Sequence, residues 1–342
     1  MLKKALALTL TVLLVFGLFG GCGKAEPTPT ETTEPKETQS AEEAKVMKIL
    51  TLGSSSSVDA CHMLNLVAAA EGVEQELVIG TLYYSGCTLA QHVKFLTEDS
   101  PVYNLYLSSS NSANFPPEIM DNVTMQTALR QDCWDVVFLQ AGGGETMDDT
   151  GLTNGNVETI KNYVNKNKLN PEMEFAYHAI GISSMLDELT ATYPYPDNPY
   201  SASAIKWNYD RARIYAERVD RLERFVETDA DYKYRIYSIT AVENAITSYL
   251  GEKGMKRDYT HLTDIGRLIV SYVWYCELYG IEELTQVKVD AIPKNFLKST
   301  VDKSKDLVLT DAEKAVVLEA VNNTLKNPLQ ITQSKLTEAP AQ

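Results

Sequence analysis

The chain has 342 residues, 44% of them hydrophobic and 23% charged, values that exclude a collagen-like, fully disordered or multi-span membrane chain. Its length suits one large domain or two small ones. The formal net charge is −15 and the sequence contains no basic run, so nucleic acid is not an expected partner.

The first 21 residues have the parts of a secretory signal peptide. A lysine pair precedes an apolar run over residues 5–19, and small residues follow. The ending Gly20-Gly21-Cys22 resembles a bacterial lipobox, which implies removal of residues 1–21 and attachment of lipid to Cys22. We therefore expect a lipoprotein on the extracytoplasmic face of the cell membrane, with plain secretion or an uncleaved anchor as alternatives.

Residues 22–45 are predicted to form a disordered tether. They are rich in Pro, Thr and Glu and contain almost no apolar side chains, so they cannot offset the entropy cost of folding. The folded part begins near Val46. We assign residues 46–290 to a single α/β domain and residues 291–342 to a C-terminal extension.

The remainder of the chain alternates short apolar runs with helical patterns. Strands are predicted at residues 47–53, 76–84, 134–140, 172–178 and 234–240, with a hairpin near Val102–Ser108. Helices are predicted at Val58–Gly72, Leu89–Leu96, Met125–Gln131 and Trp207–Thr228, and a last apolar helix is predicted from His261 to Tyr279. Alternating strands and helices favour a three-layer, doubly wound parallel sheet. In such a sheet the ligand lies at the carboxyl ends of the strands.

The C-terminal extension contains one clear helix signal. Thr310 and Glu313 have the spacing of a capping box, and the helix that follows is expected to end near Leu325, before Pro328. We expect this helix to pack on the same domain, and a separate module is the alternative.

Cysteine and histidine usage does not indicate a metal centre. The cysteines after Cys22 are Cys61, Cys87, Cys133 and Cys276. They are scattered and lack metal-finger spacing, so we expect mostly buried free thiols, although disulfide pairings stay open. The four histidines form no HExxH motif, and we expect neither a catalytic metal nor a cofactor.

The turn after the first predicted strand contains four consecutive serines, Ser54 to Ser57. A serine at this place has its backbone N–H at a helix N-terminus, where it can stabilise an oxyanion while the hydroxyl attacks. The alternative is that one serine caps the helix and the others line a polar turn.

Two further loops hold residues suited to the same chemistry. Asp258 precedes His261 by three residues, so its carboxylate can hold the imidazole Nδ1–H and leave Nε2 free to accept a proton. Gly86 follows the second strand and can bring an unobstructed N–H close to a ligand. A surface turn with a capping aspartate, and an ordinary turn glycine, are the alternatives.

The order of these loops resembles the GDSL, or SGNH, hydrolase family. The resemblance is strongest to an uncharacterised branch whose first block reads Gly-Asn-Ser-Phe-Ser, and it covers about residues 47–290. Further similar blocks are LYYSGCTLAQH at 82–92, WDVVFLQ at 134–140 and DYTHLTDIGR at 258–267. The chain departs from that pattern at Ser54 and Ser56, and it lacks the asparagine of the family's third block.

The resemblance implies a fold, an activity and a set of site residues. The fold would be the flavodoxin-like α/β sandwich of SGNH hydrolases. Ser55 would be the nucleophile, His261 the general base and Asp258 its orienting acid. The backbone N–H groups of Ser55 and Gly86, with the side-chain amide of Gln140, would form the oxyanion hole.

The expected activity is hydrolysis of small acyl esters, acetyl above all, on carbohydrate or cell-envelope polymer. A glycan-binding scaffold with a degenerate site and a solute-binding lipoprotein are the rival functions.

Other residues are also candidates for the site. His178, at the end of a predicted strand, is either a structural histidine or a residue that points into the site. Cys87 is not an expected nucleophile, because the sequence shows no histidine paired with it. The aromatic loop Tyr193–Tyr200 fits either a sugar-stacking surface or a plain connection.

Overall fold

The computed structural model describes residues 46–110, 118–142, 145, 152, 155–184, 186, 210–292 and 307–339. The predicted signal peptide (1–21), the predicted tether (22–45) with Cys22, and the loop at residues 193–200 lie outside these ranges.

Within the described residues, seven strands form one sheet. They are β1 (Val46–Gly53), β2 (Glu76–Tyr83), β3 (Tyr103–Ser109), β4 (Glu118–Val123), β5 (Val136–Leu139), β6 (Glu174–His178) and β7 (Tyr232–Ile236), in the spatial order β4-β3-β2-β1-β5-β6-β7. The strands β2, β1, β5, β6 and β7 run parallel, and the hairpin β3–β4 continues the β2 edge in antiparallel fashion. The predicted flavodoxin-like, doubly wound fold is therefore confirmed.

Ten α-helices are described, and they cover both faces of the sheet. They are α1 (Ser55–Cys61), α2 (Leu64–Glu71), α3 (Leu89–Glu98), α4 (Met125–Leu129), α5 (Asn156–Asn167), α6 (Arg211–Leu222), α7 (Ser238–Ile246), α8 (Gly251–Met255), α9 (Asp264–Tyr279) and α10 (Asp311–Lys326). A π-helical turn, Glu223–Glu227, continues α6, and a 3₁₀ turn lies at Val289–Ala291. None of these helices is both long and apolar enough to cross a membrane.

Alternate residues of the central strands supply two hydrophobic cores. Ile49 and Phe138 pack with Trp274 of α9 on one face, whereas Leu50 and Val137 belong to the core on the other face. Because both faces are covered, the central strands are apolar on both sides rather than alternating, as parallel strands usually are. The sheet is thus the middle layer of three.

Two predicted helix starts differ from the structure. The first helix begins at Ser55, not Val58, because Ser54 directly after β1 caps it by accepting the N–H of Ser56 at 3.4 Å. It ends at Cys61, and α2 follows as a separate helix. The last apolar helix begins at Asp264 behind its cap Thr263, so His261 lies in the preceding loop.

Two predicted strand segments also differ. The strand predicted at 234–240 ends at Ile236, and α7 begins at Ser238; the first three residues of α7 are all buried, so the sequence shows no helical period there. The hairpin predicted near Val102–Ser108 is present but extends further along the chain, since residues 103–109 form only its first strand, β3, and the second strand is β4. This second strand is polar and mostly exposed, and therefore lacks the apolar alternation of a strand.

The C-terminal helix packs on the same domain, as expected. Thr310 and Glu313 form the predicted capping box, and α10 packs against α7 and α9. The segment after α10 is bound to α7, since the N–H of Thr332 donates to the side chain of Asn244 at 2.7 Å.

Candidate active site

A cleft of about 240 Å³ opens at the carboxyl ends of the parallel strands. Its described walls come from the serine turn after β1, the loops after β2, β5 and β6, and the loop that precedes α9. The lining residues are Ser54, Ser55, Ser56, Tyr83, Ser85, Gly86, Gly142, Ile180, Gly181, Ser183, Tyr259, Thr260 and His261. The cleft lies where a doubly wound sheet is expected to bind its ligand.

The serine turn places Ser55 at the N-terminus of α1. Ser55 is the first residue of that helix, half-buried in the cleft wall, and Ser54 before it is buried. The N–H groups of the first helical turn have no intrahelical acceptor, so that of Ser55 is suited to bind an anion. No described residue forms a hydrogen bond with the Ser55 hydroxyl.

Gln140 holds this turn from the end of β5. Its Oε1 accepts the N–H of Ser54 at 3.0 Å and the hydroxyl groups of Ser54 and Ser57 at 3.1 and 3.0 Å. Since a backbone N–H can only donate, the side-chain atom that faces it is the oxygen. The amide nitrogen of Gln140 donates to the carbonyl of Ala141 at 2.9 Å. Gln140 is buried and does not line the described cleft, so its role as an oxyanion donor stays a prediction.

Gly53 makes the contact between Gln140 and the serine turn possible. A Cβ at position 53 would lie 2.7 Å from Oε1 of Gln140 and would overlap Ser57 as well. The glycine that precedes the serines is therefore required for packing of the turn rather than for an unusual backbone angle.

The loop before α9 brings Asp258 and His261 into direct contact. Nδ1 of His261 lies 2.9 and 3.0 Å from the two carboxylate oxygens of Asp258, which also accept the N–H groups of Thr260 and His261 at 3.0 and 2.8 Å. Because an ionised carboxylate only accepts, Nδ1 carries the proton. In the neutral ring Nε2 is then the basic nitrogen, which is the tautomer that a general base needs.

Electrostatics keep Asp258 ionised. Partial burial alone would raise the pKa of Asp258, but the hydrogen bonds from the imidazole and N–H of His261 and from the N–H of Thr260 outweigh burial and hold that pKa well below its usual range. Asp258 is therefore a permanent negative charge at neutral pH, able to orient His261 and to stabilise it when protonated.

The side of the cleft that contains Gly86 is held by a carboxylate that sequence reasoning missed. Glu145 accepts the N–H groups of Leu89 and Ala90, at the N-terminus of α3, at 2.7 and 3.1 Å. It also accepts the N–H of Gly142 at 2.9 Å. Gly86 lies in the loop that leads into α3 and has a φ of 61°, which favours glycine. Glu145 thus fixes the Gly86 loop against the loop after β5.

The wall after β6 is supported from behind by two arginines of α6, of which Arg218 is buried and Arg211 half-buried. Arg218 of α6 donates to the carbonyl of Gly181 at 3.0 Å, and Arg211 donates to that of Ser183 at 3.5 Å. Arg211 is itself held by the carboxylate of Glu243, with both bonds at 2.7 Å. These bonds fix two carbonyl groups of an irregular segment that lines the cleft.

The predicted triad residues are therefore brought to one place. Ser55, Gly86 and His261 line the same cleft, and Asp258 is bonded to the His261 ring. The arrangement places a serine hydroxyl at a helix N-terminus, an imidazole bonded to a carboxylate, and backbone N–H groups around one cleft, and acyl transfer requires groups of these kinds.

The other nucleophile and base candidates lie elsewhere. His178 is buried, with Nε2 2.8 Å from the hydroxyl of Ser238, and burial lowers its pKa to about 3. Burial likewise raises the pKa of the Cys87 thiol, which is therefore protonated and a poor nucleophile. The cysteines of the described chain are free, and no group of three metal-ligating side chains occurs among the described residues.

Comparison with known proteins identifies the family. Residues 48–299 match the model of a domain of unknown function, DUF4886. The chain belongs to the DUF4886 family. No curated protein sequence matches it.

Among solved structures, the chain resembles a DUF4886 protein from Bacteroides uniformis with a TM-score of 0.68 at 21% identity, over 86% of this chain and 100% of that one. It also matches a protein from Slackia heliotrinireducens described as a candidate SGNH hydrolase, with a TM-score of 0.43 at 13% identity, over 68% and 100% of the two chains. A family 3 carbohydrate esterase from Clostridium thermocellum matches with a TM-score of 0.36 at 15% identity, over 69% and 97%. The similarity to the Bacteroides protein shows that the two chains share a fold.

Proposed function

We propose that this DUF4886 chain is an extracytoplasmic serine esterase that removes small acyl groups, acetyl above all, from carbohydrate or cell-envelope polymer. The observation that supports it best is the pairing of an oriented Asp258–His261 dyad with a helix-terminal serine, Ser55, around one cleft. A binding scaffold has no use for a histidine fixed in the tautomer of a general base.

The reaction proceeds through an acyl-enzyme. Nε2 of His261 takes the proton of the Ser55 hydroxyl as the oxygen attacks the ester carbonyl. The N–H groups of Ser55 and Gly86 stabilise the oxyanion, and Asp258 stabilises the imidazolium. His261 then returns the proton to the departing alcohol, and a water molecule activated by the same base releases the acid and regenerates Ser55.

The chemistry of the cleft walls supports this substrate class. Among the described lining residues, the side chains are mainly hydroxyl groups, and none belongs to lysine, arginine, aspartate or glutamate. Hydroxyl groups suit a neutral substrate that itself bears hydroxyls, such as a sugar. The cleft, at about 240 Å³, is smaller than the roughly 300–1,000 Å³ of sites for drug-sized ligands. A short acyl group is therefore preferred over a long chain.

Acetate release from an acetylated polysaccharide tests this function. The purified domain should release acetate, and Ser55→Ala should reduce the rate to the uncatalysed level while its melting temperature stays within about 2 °C of the wild type, since Ser55 makes no side-chain bond to described residues. Equal rates for the two proteins would contradict the proposal. Release of butyrate or longer acids in preference to acetate would contradict the acyl-size preference.

The proposed location rests on the N-terminal sequence. If lipid on Cys22 anchors the chain, Cys22→Ser should move the protein from the membrane fraction to the soluble fraction of the producing cells. Fractionation followed by immunoblotting measures this. Retention of the variant in the membrane fraction would rule out anchoring through Cys22.

A further inference from the structure

A buried carboxylate joins the serine helix to the histidine loop. Asp59 lies four residues after Ser55 in α1 and is only 2% exposed. Its Oδ2 accepts the N–H of Leu262, the residue after His261, at 2.9 Å. Its Oδ1 accepts Nε of Arg267 in α9 at 2.8 Å. Asp59 therefore fixes the relative position of the two elements that carry the proposed nucleophile and base.

A second arginine lies between Asp59 and the triad carboxylate. Nη1 of Arg257 donates to the carbonyl of Leu262 at 3.1 Å and lies 3.7 Å from Oδ1 of Asp59. Nε of the same guanidinium lies 3.6 Å from Oδ2 of Asp258. That oxygen is also 2.9 Å from Nδ1 of His261. Arg257 and His261 are therefore potential competitors for one carboxylate.

We propose that Asp59 is a positioning residue for the esterase reaction, and the proposal rests on the function stated above. Asp59 ties the histidine loop to α1 and, with Asp258, shares the charge of Arg257, which weakens the attraction of that guanidinium to the Asp258 carboxylate. Arg257 is partly exposed and lies within ion-pair distance of both carboxylates, so loss of the Asp59 charge leaves its guanidinium attracted to Asp258 alone of the two. The Asp258 carboxylate, 3.6 Å from Nε of Arg257, is then expected to be drawn toward the guanidinium and away from Nδ1 of His261.

Asp59→Asn separates the hydrogen bond to the histidine loop from the charge that neutralises Arg257, because an asparagine oxygen can still accept the N–H of Leu262 but carries no charge. We expect kcat to fall on the order of 10- to 100-fold, as a misplaced catalytic group does. KM should change less than about threefold, since Asp59 is not among the residues that line the cleft.

Rescue by a second substitution distinguishes positioning from general stability. In Asp59→Asn/Arg257→Gln the competing guanidinium is gone, so kcat should recover at least threefold over Asp59→Asn. Lys161→Met is the matched control: Lys161 is buried and paired with Asp229 and Asp231, but it does not line the cleft, so the variant should lose stability and keep its kcat.

The outcomes separate this inference from the proposed function. A folded wild-type protein without ester hydrolysis refutes the function itself. An active wild type with an Asp59→Asn variant of equal kcat overturns the positioning role, and a reduced variant without rescue overturns the part assigned to Arg257. If Asp59→Asn does not fold, the double variant Asp59→Asn/Arg267→Gln replaces it in the test, because it removes the buried guanidinium of Arg267 together with the carboxylate that neutralises it. Addition of Arg257→Gln to that pair should give the same recovery.

Discussion

At the scale of single residues, the Asp258–His261 pair is a local structure. Both side chains and the N–H groups that bind the carboxylate belong to one short loop, so the spacing of two residues in the sequence predicted the contact. The role of Gln140 could not be predicted in this way. Its partners, Ser54 and Ser57, lie more than 80 residues away and meet it only after β1 and β5 pair.

Asp258→Asn tests the proposed role of the dyad. The variant should keep its fold and lose roughly 10³–10⁴-fold in kcat, because an amide can donate to Nδ1 and so favour the wrong tautomer of His261. Steady-state ester hydrolysis with circular dichroism as the folding control measures this. A loss below tenfold would show that His261 does not need Asp258.

The difference in melting temperature between the wild type and Asp258→Asn should depend on pH. The pKa of Asp258 is depressed in the folded protein, so its charge stabilises the fold above the ordinary aspartate pKa of about 4 and that contribution is lost as the pH falls. The melting temperature of the wild type should therefore exceed that of Asp258→Asn from pH 5 to 8, and the difference should shrink below pH 4. A difference that grows on acidification would contradict the depressed pKa.

At the scale of helices and strands, the sequence predicted elements better than their ends. Buried strands such as β1 and β5 are short apolar runs and were recognised as such. The helix α7 was missed because almost every side chain in it is buried, so no amphipathic period shows. Glu145 was missed for another reason: its partners at the start of α3 lie more than 50 residues earlier in the chain.

Glu145→Ala tests how far the side of the cleft that contains Gly86 depends on this one carboxylate. Loss of the acceptor for three backbone N–H groups should lower the free energy of unfolding by about 1–3 kcal/mol. It should also lower kcat on the order of tenfold, because the Gly86 loop is no longer fixed. Urea denaturation and steady-state kinetics measure the two effects.

Glu158→Ala is the control for that substitution, because Glu158 is an exposed acidic residue in the first turn of α5. Glu158→Ala should change the free energy of unfolding and kcat little. If the two variants behave alike, Glu145 does not hold the loop.

At the scale of the whole molecule, alternating patterns predicted the layer order, because a parallel sheet needs helices on both faces. The sequence alone did not show which helices the C-terminal extension packs against. In the structure Val316, Val317 and Val321 of α10 are almost completely buried in the core shared with α7 and α9. The C-terminal helix is therefore part of the fold.

Truncation after residue 306 tests that conclusion. Loss of the apolar contacts made by α10 and exposure of the surface beneath it lower the free energy of unfolding on the order of 5 kcal/mol or more, which is comparable with the whole stability of a typical domain. The truncated protein should show no cooperative urea transition. A chain that ends at Thr337 should unfold as the full domain does. Cooperative unfolding of the shorter protein would show that α10 is dispensable.

The central claim is that Ser55 is activated by His261. A fluorophosphonate probe, which reacts with activated serines, measures this most directly on the purified domain without its first 45 residues. Labelling should occur in the wild type, mass spectrometry should place the adduct on Ser55, and Ser55→Ala and His261→Ala should each abolish it. A folded wild-type protein that does not label, or an adduct on another serine, would contradict the account.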